Sequence, residues 1–203
     1  MINKPMQYNQ CPVKTNTANL LRSPADACGR LSPRYSFRME NTTAGKADAR
    51  FMAEAVALAR NAAERGEGGP FGAVVVRGGE IVARGWNRVT GTNDPTAHAE
   101  VTAIREACRV LGRFHLEDCE LYSSCEPCPM CLAAAHWARL KAVWYAATRE
   151  DAASAGFDDA AMYAEAERPP ERRTVPCRHL PEDAESAAAA MRGWAADPRK
   201  KPY

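Results

Sequence analysis

Two short segments hold residue types that can bind a metal and move a proton: Thr96-Ala97-His98-Ala99-Glu100, and Ser124-Cys125-Glu126-Pro127-Cys128-Pro129-Met130-Cys131. Zinc takes thiolate sulfur at about 2.3 Å and imidazole nitrogen at about 2.0–2.1 Å, usually as a tetrahedron. His98, Cys128 and Cys131 supply three such ligands. Three protein ligands leave the fourth position to water, which marks a hydrolytic zinc rather than a structural one. Glu100 is not needed as a ligand. Two residues after His98, its carboxylate can take a proton from the water and return it to a substrate. A Cys-x-x-Cys pair alone is a weak signal, equally at home in a zinc ribbon or a redox site. Cys125 and Cys128 share that spacing, and Cys125 is a candidate fourth ligand for a structural site. The Pro127-Cys128 context and the His98/Glu100 segment favour Cys128 and Cys131.

The surrounding elements must bring these segments together. An amphipathic helix runs from about Ala47 to near Gly66, and Gly68-Gly69-Pro70 breaks it. Two apolar runs, Phe71 to Val76 and Glu80 to Trp86, flank Arg77-Gly78-Gly79 and predict a β-hairpin. Asp94 as a cap and Pro95 at the first helical position predict a helix through Ala97 to Val110. A strand at Leu121-Tyr122-Ser123 leads to a helix opened by Pro129 and reaching Arg139. A further strand follows at Ala142 to Ala146. Both ligand segments thus fall at predicted helix starts, where unpaired N–H groups and a partial positive charge favour thiolate over thiol. A helix around Asp159–Glu167, a strand at Thr174–Leu180 and an Ala-rich helix from Asp183 to Ala196 complete the chain. Helices alternating with strands after an opening hairpin imply a mixed sheet covered by helices.

Composition narrows the function. Residues 1–45 carry six Lys/Arg against two Asp/Glu, whereas residues 46–203 carry 21 against 23. The net +2 therefore hides a slightly acidic body, which argues against a partner of nucleic acid. Residues 1–45 lack periodicity and are expected to be an unstructured extension, with Met39 as a second possible start. No run approaches the roughly 20 apolar residues of a membrane span, and no secretory signal is visible. Crowded cysteines then suit metal chemistry in a reducing cytoplasm.

His-x-Glu followed by Pro-Cys-x-x-Cys is the mark of zinc deaminases that act on nucleobases. Gly68 to Ala73, Asn93 to Arg105, Ser124 to Cys131, Ala155-Gly156-Phe157-Asp158-Asp159 and the C-terminal tyrosine together resemble the bacterial guanine deaminases of the cytidine-deaminase-like superfamily. The resemblance covers about residues 47–203. It implies a three-layer α/β/α fold on a five-stranded mixed sheet, one zinc per subunit, and hydrolysis of guanine to xanthine and ammonia. It further implies a homodimer that exchanges C-terminal segments. By position, Asn87 would hydrogen-bond the base, Phe71 and Trp137 would form an apolar stacking pocket, Asp159 would act as a second proton shuttle, and Tyr203 would close the partner's site. Guanosine deaminases share these motifs. A tRNA adenosine deaminase shares Pro-Cys-x-Met-Cys but must grip a folded RNA. A zinc-stabilised binding module is the non-enzymatic alternative.

Overall fold

The computed structural model describes residues 46–202. The extension expected at residues 1–45 and the lid role expected of Tyr203 lie outside the described residues. The elements run α1 (Ala49–Glu64), β1 (Gly72–Arg77), β2 (Glu80–Trp86), α2 (Val89–Thr92), α3 (Ala99–Leu111), β3 (Cys119–Cys125), α4 (Pro129–Trp137), β4 (Ala142–Ala147), α5 (Arg149–Ser154), α6 (Ala160–Glu167) and α7 (Ala184–Ala196).

The hairpin forms as its residues require. Gly78 and Gly79 both adopt positive φ, 58° and 84°, the conformation of a two-residue type I′ turn that matches strand twist. Arg77 then pairs with Glu80 to open the antiparallel β1–β2 ladder. β1 also pairs antiparallel with β3, and β3 runs parallel to β4. The crossover between β3 and β4 is α4, as a parallel pair demands.

The strand order is β2-β1-β3-β4, so the described sheet is mixed and four-stranded. The expected fifth strand at residues 174–180 is absent from it: these residues form bends and irregular chain and are mostly exposed. Pro176 has no N–H to give to a ladder.

Side chains of β1 explain its unbroken apolar run. Ala73 and Val75 face the cluster that includes Ala99, Ala103, Ile104, Ala135 and Leu121, carried by α3, α4 and β3. Val74 and Val76 face the opposite cluster with Phe51, Tyr122 and Trp144, under α1. A strand buried on both faces cannot alternate polar with apolar. The result is the three-layer α/β/α arrangement. Glycine sets the interlayer distance at two points. A Cβ on Gly72 would lie 2.3 Å from Ala55 O, and one on Gly85 would lie 2.3 Å from Ala99 O, so helix backbone rests on strand backbone at both. Among the described residues, no helix is long and apolar enough to cross a membrane.

Candidate active site

α3 begins later than its sequence suggests. Asp94 is not its cap: Asp94 Oδ1 accepts from Thr96 N (2.8 Å) and Thr96 Oγ1 (2.7 Å), closing a local turn around Pro95. The helix starts at Ala99, with His98 in extended backbone at the N-cap. Cys128 occupies the same position before α4, where Pro129 at the first helical position needs no hydrogen-bond partner for its nitrogen. Two helix N-termini therefore aim their first residues at one point.

There the ligand atoms of His98, Cys128 and Cys131 all lie within 4.8 Å of one another. His98 Nδ1 is 3.6 Å from Cys128 Sγ and 3.5 Å from Cys131 Sγ. Zinc bonds of about 2.3 Å to sulfur and 2.0 Å to nitrogen, at a tetrahedral angle, put sulfur and nitrogen about 3.5 Å apart. The three residues fit zinc in geometry and in donor type. Sharing a proton with Cys131, and beside His98, Cys128 has its thiol drawn down to about 4. The same pairing pushes Cys131 up, so Cys128 holds the negative charge. Cys128 also holds the His98 imidazolium above its ordinary value.

Cys125 does not join the cluster. It ends β3, buried, with its thiol directed at Thr148 O (3.5 Å), and burial pushes it up to about 11. The grouped ligand atoms are those of His98, Cys128 and Cys131, and Cys125 Sγ turns instead to a backbone carbonyl, which leaves three protein ligands rather than four.

Glu100, 5% exposed, lies in the first turn of α3. Ser123 Oγ donates to its Oε1 (3.0 Å), and Cys131 Sγ lies 3.3 Å from its Oε2. Burial raises its carboxyl, so the group stands ready both to hold and to release a proton.

A cavity of about 250 Å³ opens on these ligand side chains. Phe71, Asn87, His98, Glu100, Cys128 and Asp159 all line it, so six of the sequence-predicted residues converge. Asn87 is buried and its Oδ1 accepts from Gly69 N and Val89 N, both at 3.2 Å. With the oxygen taken, its NH2 is the end left for a ligand. Gly68 permits this approach, since a Cβ there would meet Asn87 O at 2.2 Å. Of the Asp158-Asp159 pair, Asp158 serves the backbone, accepting from Ala160 N at 2.9 Å. Asp159 makes no such capping bond, and burial raises its carboxyl.

Trp137 is the exception. It ends α4, 60% exposed, beside Phe114 and Ile104 on a different groove. At about 100° per residue, six positions past Cys131 leave it about 120° around the helix from the ligand's face. Sequence reasoning gave no individual role to several other lining residues, among them Glu126, Arg149, Phe157 and Met162. Glu126 stands within the cysteine motif and Phe157 within the Gly-Phe-Asp-Asp stretch, and those contexts were the available signal.

Comparison with known proteins agrees with this geometry. Residues 45–147 match the cytidine and deoxycytidylate deaminase zinc-binding region. The chain is 62% identical to guanine deaminase of Bacillus subtilis over 126 residues, which are 62% of this chain and 81% of that protein. The crystal structure of guanine deaminase from Bacillus subtilis superimposes with a TM-score of 0.73 at 53% identity, covering 78% of this chain and 99% of that one. A tRNA-specific adenosine deaminase of Agrobacterium fabrum is 47% identical over 97 residues, 48% of this chain and 63% of that protein. The metal ligands, the buried glutamate and these matches together place the chain in the cytidine and deoxycytidylate deaminase zinc-binding family.

Proposed function

We propose that this protein is a zinc-dependent guanine deaminase, converting guanine and water to xanthine and ammonia. One observation carries the substrate. The cavity wall that includes Phe157, Asp159 and Met162 lies beyond residue 147, where the general family match ends. The guanine deaminase structure covers 78% of this chain, whereas the tRNA deaminase match covers 48%. A match over 78% of the chain must extend past residue 147, into the stretch that carries this wall, which supports guanine as the substrate.

When bound, zinc supplies the Lewis acidity that makes water nucleophilic near neutral pH. The chain's residues do the rest. Glu100 takes the water proton at its carboxylate and delivers it to the ring as the new C2–O bond forms. Asn87 donates its amide hydrogens to the base. Phe71 gives the ring an apolar face. Asp159 acts at the leaving side, taking the proton of the new C2 hydroxyl and passing it to the departing amino group, so that the C2–N bond breaks as ammonia leaves and the C2 carbonyl forms. A slightly acidic body and a cavity of about 250 Å³ favour a free base over folded RNA.

We assign the catalytic unit to residues 46–203 and its assembly to a homodimer with exchanged C-terminal segments. From Ala160 to Pro202 no residue is buried, although Met162, Val175, Leu180, Met191 and Trp194 are large and apolar. An Ala-rich helix with so little cover within its own chain is suited to a second copy. Tyr203 would then close the partner's cavity. A reducing cytoplasm is the compartment that keeps Cys128 and Cys131 as ligands.

Guanine, guanosine, adenosine and cytosine, each followed by ammonia release and ultraviolet change with and without chelator, test the substrate. Chelator-sensitive conversion of guanine is expected, and a preference for cytosine or adenosine would overturn the reading. Light scattering should report a dimer. Deleting Pro202-Tyr203 should impair turnover more than folding; unchanged kinetics would remove the exchanged lid.

A further inference from the structure

We infer that Phe157 is a positioning residue for this reaction, fixing the carboxyl of Asp159 and the width of the slot that takes the planar base; the inference rests on the function proposed above.

Its placement begins at the end of α5. Gly156 adopts φ +93°, donates its N–H to Ala153 O (3.0 Å), and the next N–H, from Phe157, reaches Ala152 O at 2.9 Å. These two bonds form a Schellman motif, which stops the helix and fixes the direction of the exit. Phe157 leaves that turn toward β1 and meets Phe71 edge to face, with ring centroids 4.9 Å apart and planes at 87°. The contact is tightly bounded. A Cβ on Gly69 would lie 3.1 Å from the Phe71 ring and 3.3 Å from the Phe157 ring, so any side chain there would press on the pair by a few tenths of an ångström.

Phe71 is itself fixed to the site. Its carbonyl accepts from Asn87 N at 3.0 Å, which ties the ring pair to the residue that presents an amide to the base. The strap's far end is held as well. Tyr163 lies under the Arg149 guanidinium, 5.4 Å from Cζ to ring centroid, and its hydroxyl donates to Pro127 O at 3.5 Å, next to the ligand Cys128. Between these anchors the chain carries Asp159 to the cavity. Phe157 is 45% exposed, so its ring is not core filling. Its aromatic edge is spent on one partner in the cavity wall.

The test compares Phe157→Leu and Phe157→Tyr with wild type, alone and combined with Asp159→Asn. Leu keeps an apolar side chain and loses the edge-to-face pair, which should lower kcat/KM about tenfold, through a rise in KM and a fall in kcat. Tyr keeps the ring and should stay within about twofold of wild type. Zinc content should not move in either, and the melting temperature should fall by only a few degrees in Phe157→Leu. In the Asp159→Asn background the Leu change should reduce kcat little further, because its effect on kcat passes through that carboxyl. Wild-type kinetics in Phe157→Leu, equal losses in Leu and Tyr, or full additivity with Asp159→Asn would each overturn the inference. If wild type turns over guanosine and not guanine, the substrate reading fails, and the same ratios measured on guanosine still decide the role of Phe157.

Discussion

Gly85→Ala separates the site's architecture from its chemistry. Gly85 sits in β2 opposite Ala73 of β1, and α3 crosses directly above it. The added methyl would lie 2.3 Å from Ala99 O, 2.5 Å from Ala103 N and 3.0 Å from Ala103 Cα. All three are helix backbone, so no rotamer change relieves the contact. Ordinary van der Waals contact lies at 3.4–4 Å, so α3 must retreat by about 1 Å. Overpacking of this kind costs about 1–3 kcal/mol of stability. The retreat also carries the N-cap His98 and first-turn Glu100 away from Cys128, Cys131 and Ser123. A misplacement of about 1 Å at reacting groups can cost about a hundredfold in rate. Gly72→Ala is the matched control: its methyl would meet Ala55 O at 2.3 Å and Ala59 N at 2.6 Å, displacing α1, which bears no site residue. Urea melts, bound zinc and guanine kcat/KM should be measured on both variants. Similar losses of stability are expected, with the larger loss of turnover in Gly85→Ala. Wild-type turnover in Gly85→Ala, or equal kinetic losses in the two, would refute the claim that this glycine sets the depth of α3 for catalysis.

Other expectations follow from single groups. Glu100→Gln keeps the shape and the Ser123 contact but cannot carry the proton, so kcat should fall about 10²–10⁴-fold. Because burial already opposes the carboxylate, the neutral amide should leave melting temperature and zinc content no lower; retained activity would end the proton-shuttle role. Dialysis against a strong chelator should abolish turnover, and added zinc should restore it, while Cys128→Ser should bind zinc weakly and stay inactive at the same zinc concentration. Restored activity in Cys128→Ser would exclude that thiolate as a required ligand. Burial opposes ionisation of Asp118, yet hydrogen bonds from Arg113, Cys119 and Arg77 hold its carboxyl at about 2. A folded value below the ordinary unfolded one, about 3.9, gives stability that is present above that pH and lost as pH falls toward 2. Asp118→Asn should therefore lower the melting temperature at pH 7, and the difference from wild type should fade on acidification; a constant difference would refute the assignment.

Much of this protein is legible in the chain itself because its information is local. Metal-ligand chemistry lies in side-chain type, so His98, Cys128 and Cys131 announce themselves, as does Glu100 two residues from its ligand. Gly78-Gly79 specifies its turn because positive φ is cheap only for glycine, and the apolar runs around it specify two strands. Tertiary structure decided what depends on direction and distance. Cys125 and Cys131 both lie three residues from Cys128, and only the turn of α4 and the carbonyl of Thr148 separate the ligand from the strand end. Asp94-Pro95 reads as a helix start, but the local turn with Thr96 uses up the cap and leaves His98 to open α3. Trp137 reads as a pocket aromatic, but helical rotation carries it to another groove. Residues 174–180 read as a strand, but pairing requires an edge and a donor, and Pro176 withholds one. The Gly-Phe-Asp-Asp stretch marks Phe157 by context but does not show its role, because an aromatic residue gains a direction only when a helix end aims it and another ring, 86 positions earlier in the chain, receives it.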